Sequence, residues 1–221
     1  LMPERARDKA RHAEQPGEGP IQGFLADAAA RHRLWIVAGS MPLVSPAMDD
    51  ERVYGACPVY DDTGVQRALY RKIHLFDVDL VEKGESYRES HSMYPGDDVV
   101  AVDTPAGCLG LTICYDLRFP ELYRRLVDAG AEILTVPSAF TLTTGRDHWQ
   151  PLLRARAIEC QAYVLAPAQW GRHTGRRAAG EGLRESYGHA MIVDPWGAVV
   201  AMASDGVGIA LAEIDLRRVR R

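Results

Sequence analysis

Residues 110–126 read GLTICYDLRFPELYRRL, an apolar run that ends at Cys114 and gives way to a charged helix start. Val100–Ile113 is built of β-type residues broken by Pro105-Ala106-Gly107, so Cys108–Ile113 is predicted as a short buried strand. Pro120 suits the first turn of a helix, where its missing N–H costs nothing. Glu121 follows where the helix dipole favours an acid, and Leu122, Tyr123, Leu126 and Val127 recur at helical spacing. Cys114 therefore stands where a strand turns toward a helix, with backbone N–H groups beside it. A thiol so placed can be exposed, ionised and aimed at a carbonyl. The plainer alternative is a cysteine that serves as a small buried apolar residue.

Outward from this stretch, Gly130 reads as a helix stop and Ala131–Val136 as a strand. Asp147–Gln161 reads as an amphipathic helix with Pro151 in its first turn, followed by a strand over Ala162–Ala168. On the other side, Leu1–Gly19 is a polar loop, Pro20–Arg33 a helix and Leu34–Gly39 a β-rich apolar run. Met41–Glu51, with two prolines, is expected to be a loop. Val53–Tyr60 and Val65–Tyr70 are strands joined by the turn Asp61-Asp62-Thr63-Gly64. Arg71–Gly96 is too long for a plain connection and is expected to be functional. Arg172–Glu185 reads as a surface loop. His189–Val193 and Ala198–Ala203 flank the turn Asp194-Pro195-Trp196-Gly197, and Ile209–Ile214 is expected to be a last strand. Helices and strands alternate in the middle and hairpins sit in the outer thirds, which predicts a layered α/β sandwich with parallel and antiparallel pairs.

The 221 residues suffice for one substantial core, and a single domain over 1–221 is expected. The formal charge of −4 argues against nucleic-acid or membrane-surface partners. No apolar stretch approaches the roughly 20 residues that span a bilayer, and Leu1–Gln15 is too charged for a signal peptide. Cys57, Cys108, Cys114 and Cys160 are widely spaced, which points to a reduced, cytoplasmic compartment. No His/Asp/Glu set has ligand spacing, so neither a metal nor a cofactor is expected.

Three acid–base features accompany Cys114. Lys72, in YRKIHLFD, follows a strand among apolar neighbours and can act as a partly desolvated electrostatic donor, or be an ordinary strand-end lysine. Glu4 follows Leu1-Met2-Pro3, and Glu89 lies in SYRESHSMYPG; each can equally be a surface carboxylate. A Cys–His pair is the rival arrangement, with His74, His91, His148 and His189 available, but no papain-type motif surrounds Cys114.

Together these segments resemble the nitrilase superfamily of carbon–nitrogen hydrolases. The matching stretches are Pro3-Glu4, Tyr70–Asp77, Tyr87–Gly96, TICYDLRFPELYR (Thr112–Arg124), VPSAFTLTTGRDHWQPLLRARAIE (Val136–Glu159) and SYGHAMIVDPWG (Ser186–Gly197). The resemblance implies a four-layer α-β-β-α sandwich and a Glu–Lys–Cys triad. Glu4 is then the general base, Lys72 the oxyanion and thiolate stabiliser, Cys114 the nucleophile and Glu89 a supporting carboxylate that orients the site. It also implies a homodimer or higher homo-oligomer. Members of the superfamily carry a first strand and helix before the Pro-Glu segment and a tail beyond the counterpart of Leu216, so this chain is expected to be partial at both ends. Gly55 stands where an Asn is usual.

The chemistry suits those residue types. A thiolate attacks an amide carbonyl and leaves a thioester that water can hydrolyse. An ammonium and the Tyr115 N–H would stabilise the oxyanion, and such donors are worth roughly 3–4 kcal/mol each. A carboxylate base relays the proton. His148 and Trp149 are pocket candidates, or alternatively a helix N-terminus with Trp packed in the core. LLRARAIECQAYVLAPAQWGRH with SYGHAMIVDPWG resembles the branch that cleaves the amide between a 2-oxoglutaryl group and cysteinylglycine, the bond of deaminated glutathione. Arg172, His173 and Arg176–Arg177 would offer charge to the substrate carboxylates, or form a solvated basic loop. The close alternative substrate is 2-oxoglutaramate, and the alternative of another class is a non-catalytic protein that binds small acids.

Overall fold

The computed structural model describes residues 9–45, 51–80, 85–173 and 185–220, and contacts gather the chain into two units, Leu1–Val100 and Ala101–Arg221. The first contains helix α1 (Pro20–His32). Its N-terminus has no cap from Gly19. Instead the buried Glu14 carboxylate accepts from Ile21 N (2.6 Å) and Gln22 N (3.1 Å), satisfying donors that a helix start leaves unpaired.

Strands β1 (Ile36–Val37), β2 (Met41–Val44), β3 (Val53–Tyr60) and β4 (Gln66–Arg71) follow. β3 is the spine of the sheet. One of its edges carries β2 and then β1, both antiparallel; the other carries β4 antiparallel and β7 (Met93–Tyr94) parallel. Surrounded on both edges, it is buried almost throughout and reads as a continuous apolar run. The β3–β4 hairpin appears where the sequence predicts it. Asp61 Oδ1 accepts from Thr63 N and Val65 N, closing the turn.

Two expectations change in this unit. Leu34–Gly39 yields only the two-residue β1, and Met41–Glu51, expected as a loop, contains β2. Pro42 is tolerated in β2 because its polar groups face away from β3. Its carbonyl accepts from Glu14 N at 3.2 Å, so the missing N–H falls on the outer edge, where no ladder bond is lost. The long connection after β4 holds a second hairpin, β5 (Asp77–Leu80) with β6 (Glu85–Arg88), before β7.

The second unit is a six-stranded sheet. Its strands are β8 (Ala101–Thr104), β9 (Gly107–Leu111), β10 (Ile133–Thr135), β11 (Tyr163–Ala166), β14 (Met191–Val193) and β15 (Val199–Met202), lying side by side in that order. β9, β10 and β11 are parallel and are joined by helices α2 (Pro120–Asp128) and α3 (Leu142–Cys160), which makes two consecutive βαβ units. Leu122, Tyr123 and Leu126 of α2 and Trp149, Leu153 and Ala157 of α3 are buried together with Leu111, Ile133, Leu134 and Val164 of the sheet. Gly110 is flanked by Ala131, Leu134 and Leu126; a Cβ there would meet them at 3.0–3.2 Å. A separate ribbon pairs β12 (Trp170–Arg172) with β13 (Glu185–Tyr187).

Helix α3 starts five residues before the predicted Asp147. Thr141 caps it, its hydroxyl accepting from Thr144 N at 3.3 Å, so Pro151 lies in the helix interior rather than in the first turn. The turn at Asp194–Gly197 forms as expected, with Gly197 N donating to the Asp194 carbonyl at 2.8 Å. Ile209–Ile214 is not a strand. Its Ile209 and Leu211 side chains are exposed, and apolar alternation without a pairing partner makes no ladder. No helix among the described residues is long and apolar enough to cross a membrane.

Candidate active site

Cys114 lies just past the carboxyl end of β9, the end of a parallel sheet where ligands bind in α/β folds. Beyond the strand the parallel ladder continues. Thr112 N donates to the Thr135 carbonyl at 3.1 Å and Cys114 N to the Pro137 carbonyl at 3.0 Å. The chain then breaks into a 3₁₀ turn over Cys114–Arg118, and Cys114 takes a left-handed φ of 52°. A non-glycine residue there is uncommon and is held only where its surroundings fix it. The Cys114 N–H is committed to the Pro137 carbonyl.

Several groups fix the turn. Asp116 is fully buried, and its Oδ2 accepts from Ile113 N at 2.8 Å while Asp116 N donates to the Ile113 carbonyl at 3.2 Å. From α3, the buried Arg156 donates through Nε to the Leu117 carbonyl at 3.1 Å, stacks its guanidinium over Tyr123 and pairs with Glu159. The Thr112 hydroxyl donates to the Thr135 carbonyl at 2.7 Å and lies 2.9 Å from Tyr123 Oη. Burial pushes the Tyr123 phenol above its usual range.

Arg118, at the end of the turn, donates to His148 Nδ1 at 3.1 Å. Arginine has no acceptor, so the guanidinium is the donor in this contact. His148 is exposed and lies in the middle of α3, not at its N-terminus. Of the two readings of Trp149, the structure shows the core one. It has no exposed surface, its indole N–H donates to the His189 carbonyl at 2.9 Å, and its ring packs on Phe140.

In the first unit, Lys72 continues β4 by one residue. Its N–H donates to Gly55 O at 2.8 Å and its carbonyl accepts from Gly96 N at 2.7 Å. Gly96 is required there, since a Cβ would stand 2.4 Å from the Arg71 carbonyl oxygen. The Lys72 side chain is 3% exposed and its ammonium is ion-paired with Glu89 Oε2. Glu89 opens a short 3₁₀ turn after β6, and the same oxygen accepts from Phe76 N at 2.7 Å. The Arg71–Gly96 connection thus folds Glu89 back onto Lys72, a pairing of residues 17 positions apart.

Glu4, Arg176 and Arg177 lie outside the described residues. Arg172 is exposed on β12 and 3.8 Å from Glu185; His173 Nε2 is 2.7 Å from the buried Ser186 hydroxyl. Sequence reasoning missed Asp116, Arg118 and Arg156. Asp116 and Arg118 stand inside CYDLR and Arg156 at a buried position of α3, and the partners of the two arginines, His148 and Leu117, are distant in sequence.

The carbon–nitrogen hydrolase family description matches residues 3–221. Deaminated glutathione amidase of Yersinia enterocolitica is 44% identical over 204 residues, covering 92% of this chain and 68% of that protein. The Homo sapiens protein of the same name is 45% identical over 220 residues, covering 98% of this chain and 65% of the human one. The chain therefore spans about two thirds of the length of these relatives. Among solved structures, the Caenorhabditis elegans NitFhit protein superposes with a TM-score of 0.85 at 40% identity, over 99% of this chain and 53% of that one. Saccharomyces cerevisiae Nit3, a member of branch 10 of the nitrilase superfamily, gives 0.82 at 31% identity, over 99% and 74%. The α/β fold expected from the sequence is the fold of these structures. The chain belongs to the carbon–nitrogen hydrolases, a family of hydrolytic enzymes.

Proposed function

We propose that this protein is an amidase that cleaves deaminated glutathione to 2-oxoglutarate and cysteinylglycine through a thioester on Cys114. The observation that carries the reading is the left-handed Cys114 just past the end of β9, whose own N–H stays in the ladder with the Pro137 carbonyl. The names of the relatives support the substrate.

Glu4 takes the thiol proton, and Cys114 Sγ attacks the amide carbon. The Lys72 ammonium and the Tyr115 N–H hold the oxyanion. The C–N bond breaks as the departing amine takes the proton from Glu4. Water then gives a proton to Glu4 and attacks the thioester, and the released thiol recovers that proton. Glu89, ion-paired with the Lys72 ammonium, aims it. Arg118, half-buried four residues after Cys114 and braced by His148, suits a carboxylate on the acyl group. Arg172 and His173 would meet the distal carboxylate.

Comparing kcat/KM for deaminated glutathione and 2-oxoglutaramate tests the substrate. A clear preference for 2-oxoglutaramate would overturn the first choice, and no turnover of either by folded protein would favour a small-acid binder. Cys114→Ala tests the nucleophile, and turnover near wild type would place the chemistry elsewhere.

A further inference from the structure

We infer that Asp116 is a positioning residue, whose buried carboxylate holds Cys114 in its reactive left-handed conformation. The inference rests on Cys114 being the nucleophile. Asp116 is two residues further on, has no exposed surface, and closes a reciprocal pair with Ile113. Ile113 N–H donates to Oδ2 and Asp116 N–H donates to the Ile113 carbonyl. Cys114 and Tyr115 are the two residues inside that closed loop. Its geometry thus sets the φ of Cys114 and the direction of the peptide that carries the Tyr115 N–H.

Two other contacts act beside this loop rather than across it. Arg156 grips the Leu117 carbonyl, beyond the loop, and Cys114 N reaches the Pro137 carbonyl from before its own Cα. Neither spans Cys114 and Tyr115 together. Without an acceptor at Oδ2, Ile113 N–H is a buried donor with its partner removed, and the chain gains by relaxing out of a conformation that costs a non-glycine residue free energy. Such relaxation moves the thiol and the oxyanion donor at once, while the acyl-group contacts stay in place. The signature is a loss in kcat with little change in KM.

The test compares Asp116→Ala, Asp116→Asn and Cys114→Ala with wild type on deaminated glutathione, with circular dichroism and the fraction of folded protein measured for each. Asn keeps an oxygen that can accept from Ile113 N–H, whereas Ala does not. Folded Asp116→Ala is expected to lose about a hundredfold in kcat, the scale of a displacement near 1 Å, at nearly unchanged KM. Asp116→Asn should recover most of that loss. Wild-type kcat in folded Asp116→Ala, a rise in KM alone, an Asn variant no better than Ala, or an Asn variant that does not fold would each overturn the inference. Turnover by Cys114→Ala would instead overturn the reading of the nucleophile.

Discussion

Lys72 and Glu89 form an ion pair in which the ammonium is 3% exposed and the carboxylate 20%. A buried ammonium without a counter-charge carries a large desolvation cost, so the pair acts as a unit. Glu89 also accepts from Phe76 N, which ties the pair to the loop that follows β4.

Replacing Glu89 by Gln should therefore destabilise the protein. The change leaves Lys72 charged with a weaker partner, and we expect a loss of about 3 kcal/mol, the lower end for broken buried pairs because one fifth of Glu89 meets solvent. Urea unfolding followed by fluorescence measures it. Equal midpoints for Glu89→Gln and wild type would show that the pair contributes nothing to folding.

Lys72→Arg and Lys72→Met separate charge from shape. Lys72 presents a buried, compact ammonium paired with Glu89 at the end of β4, and arginine replaces it with a larger planar fork. Both variants are expected to lower kcat by roughly a hundredfold or more, the scale of removing one oxyanion donor. Full activity in Lys72→Arg would remove Lys72 from the chemistry.

The four thiols should differ in reactivity. Burial pushes Cys57 up to about 12 and Cys160 up to about 11, and Cys108 is also raised, first by burial and then by the nearby Asp103. A thiol so raised is almost wholly protonated at pH 8, and the thiolate is the species that alkylates. Peptide mapping after brief treatment with iodoacetamide is expected to find the label on Cys114. Labelling of Cys57 ahead of Cys114 would contradict the packing around β3.

Gly145→Ala should unsettle α3. A Cβ at Gly145 would stand 2.3 Å from Tyr187 Cβ, so the helix and β13 must part. Overpacking of this kind costs about 1–3 kcal/mol, and a lowered midpoint in thermal melting is the expected result. An unchanged midpoint would mean that β13 shifts freely.

The stretch around Cys114 was legible because its signals are local. The apolar run, Pro120 at a helix start and Gly130 at its end each act within a few residues. The Asp61 and Asp194 turns were readable for the same reason, as each side chain bonds the backbone of its own turn. β2 was not legible, since Pro42 is harmless only because its outer edge faces Glu14, far away in the chain. The start of α3 was misplaced because Asp147 and Pro151 look like a helix start, whereas the cap is the less conspicuous Thr141. Apolar alternation at Ile209–Ile214 predicted a strand, and strands also need a neighbour. The Lys72–Glu89 pair was recoverable only as two members of a resemblance. Asp116, Arg118 and Arg156 escaped altogether, because nothing local tells a buried charged residue from a surface one.

The left-handed backbone at Cys114 also limits which nucleophiles this scaffold can carry. Cysteine, serine and alanine have an unbranched Cβ and can share a φ of 52° at similar cost. Threonine and valine cannot, since a second heavy atom on Cβ makes the left-handed region a true outlier. A lineage of this fold could exchange sulfur for a primary alcohol by one substitution and keep its elbow. The secondary alcohol of threonine is closed to it by backbone geometry, before any question of reactivity arises.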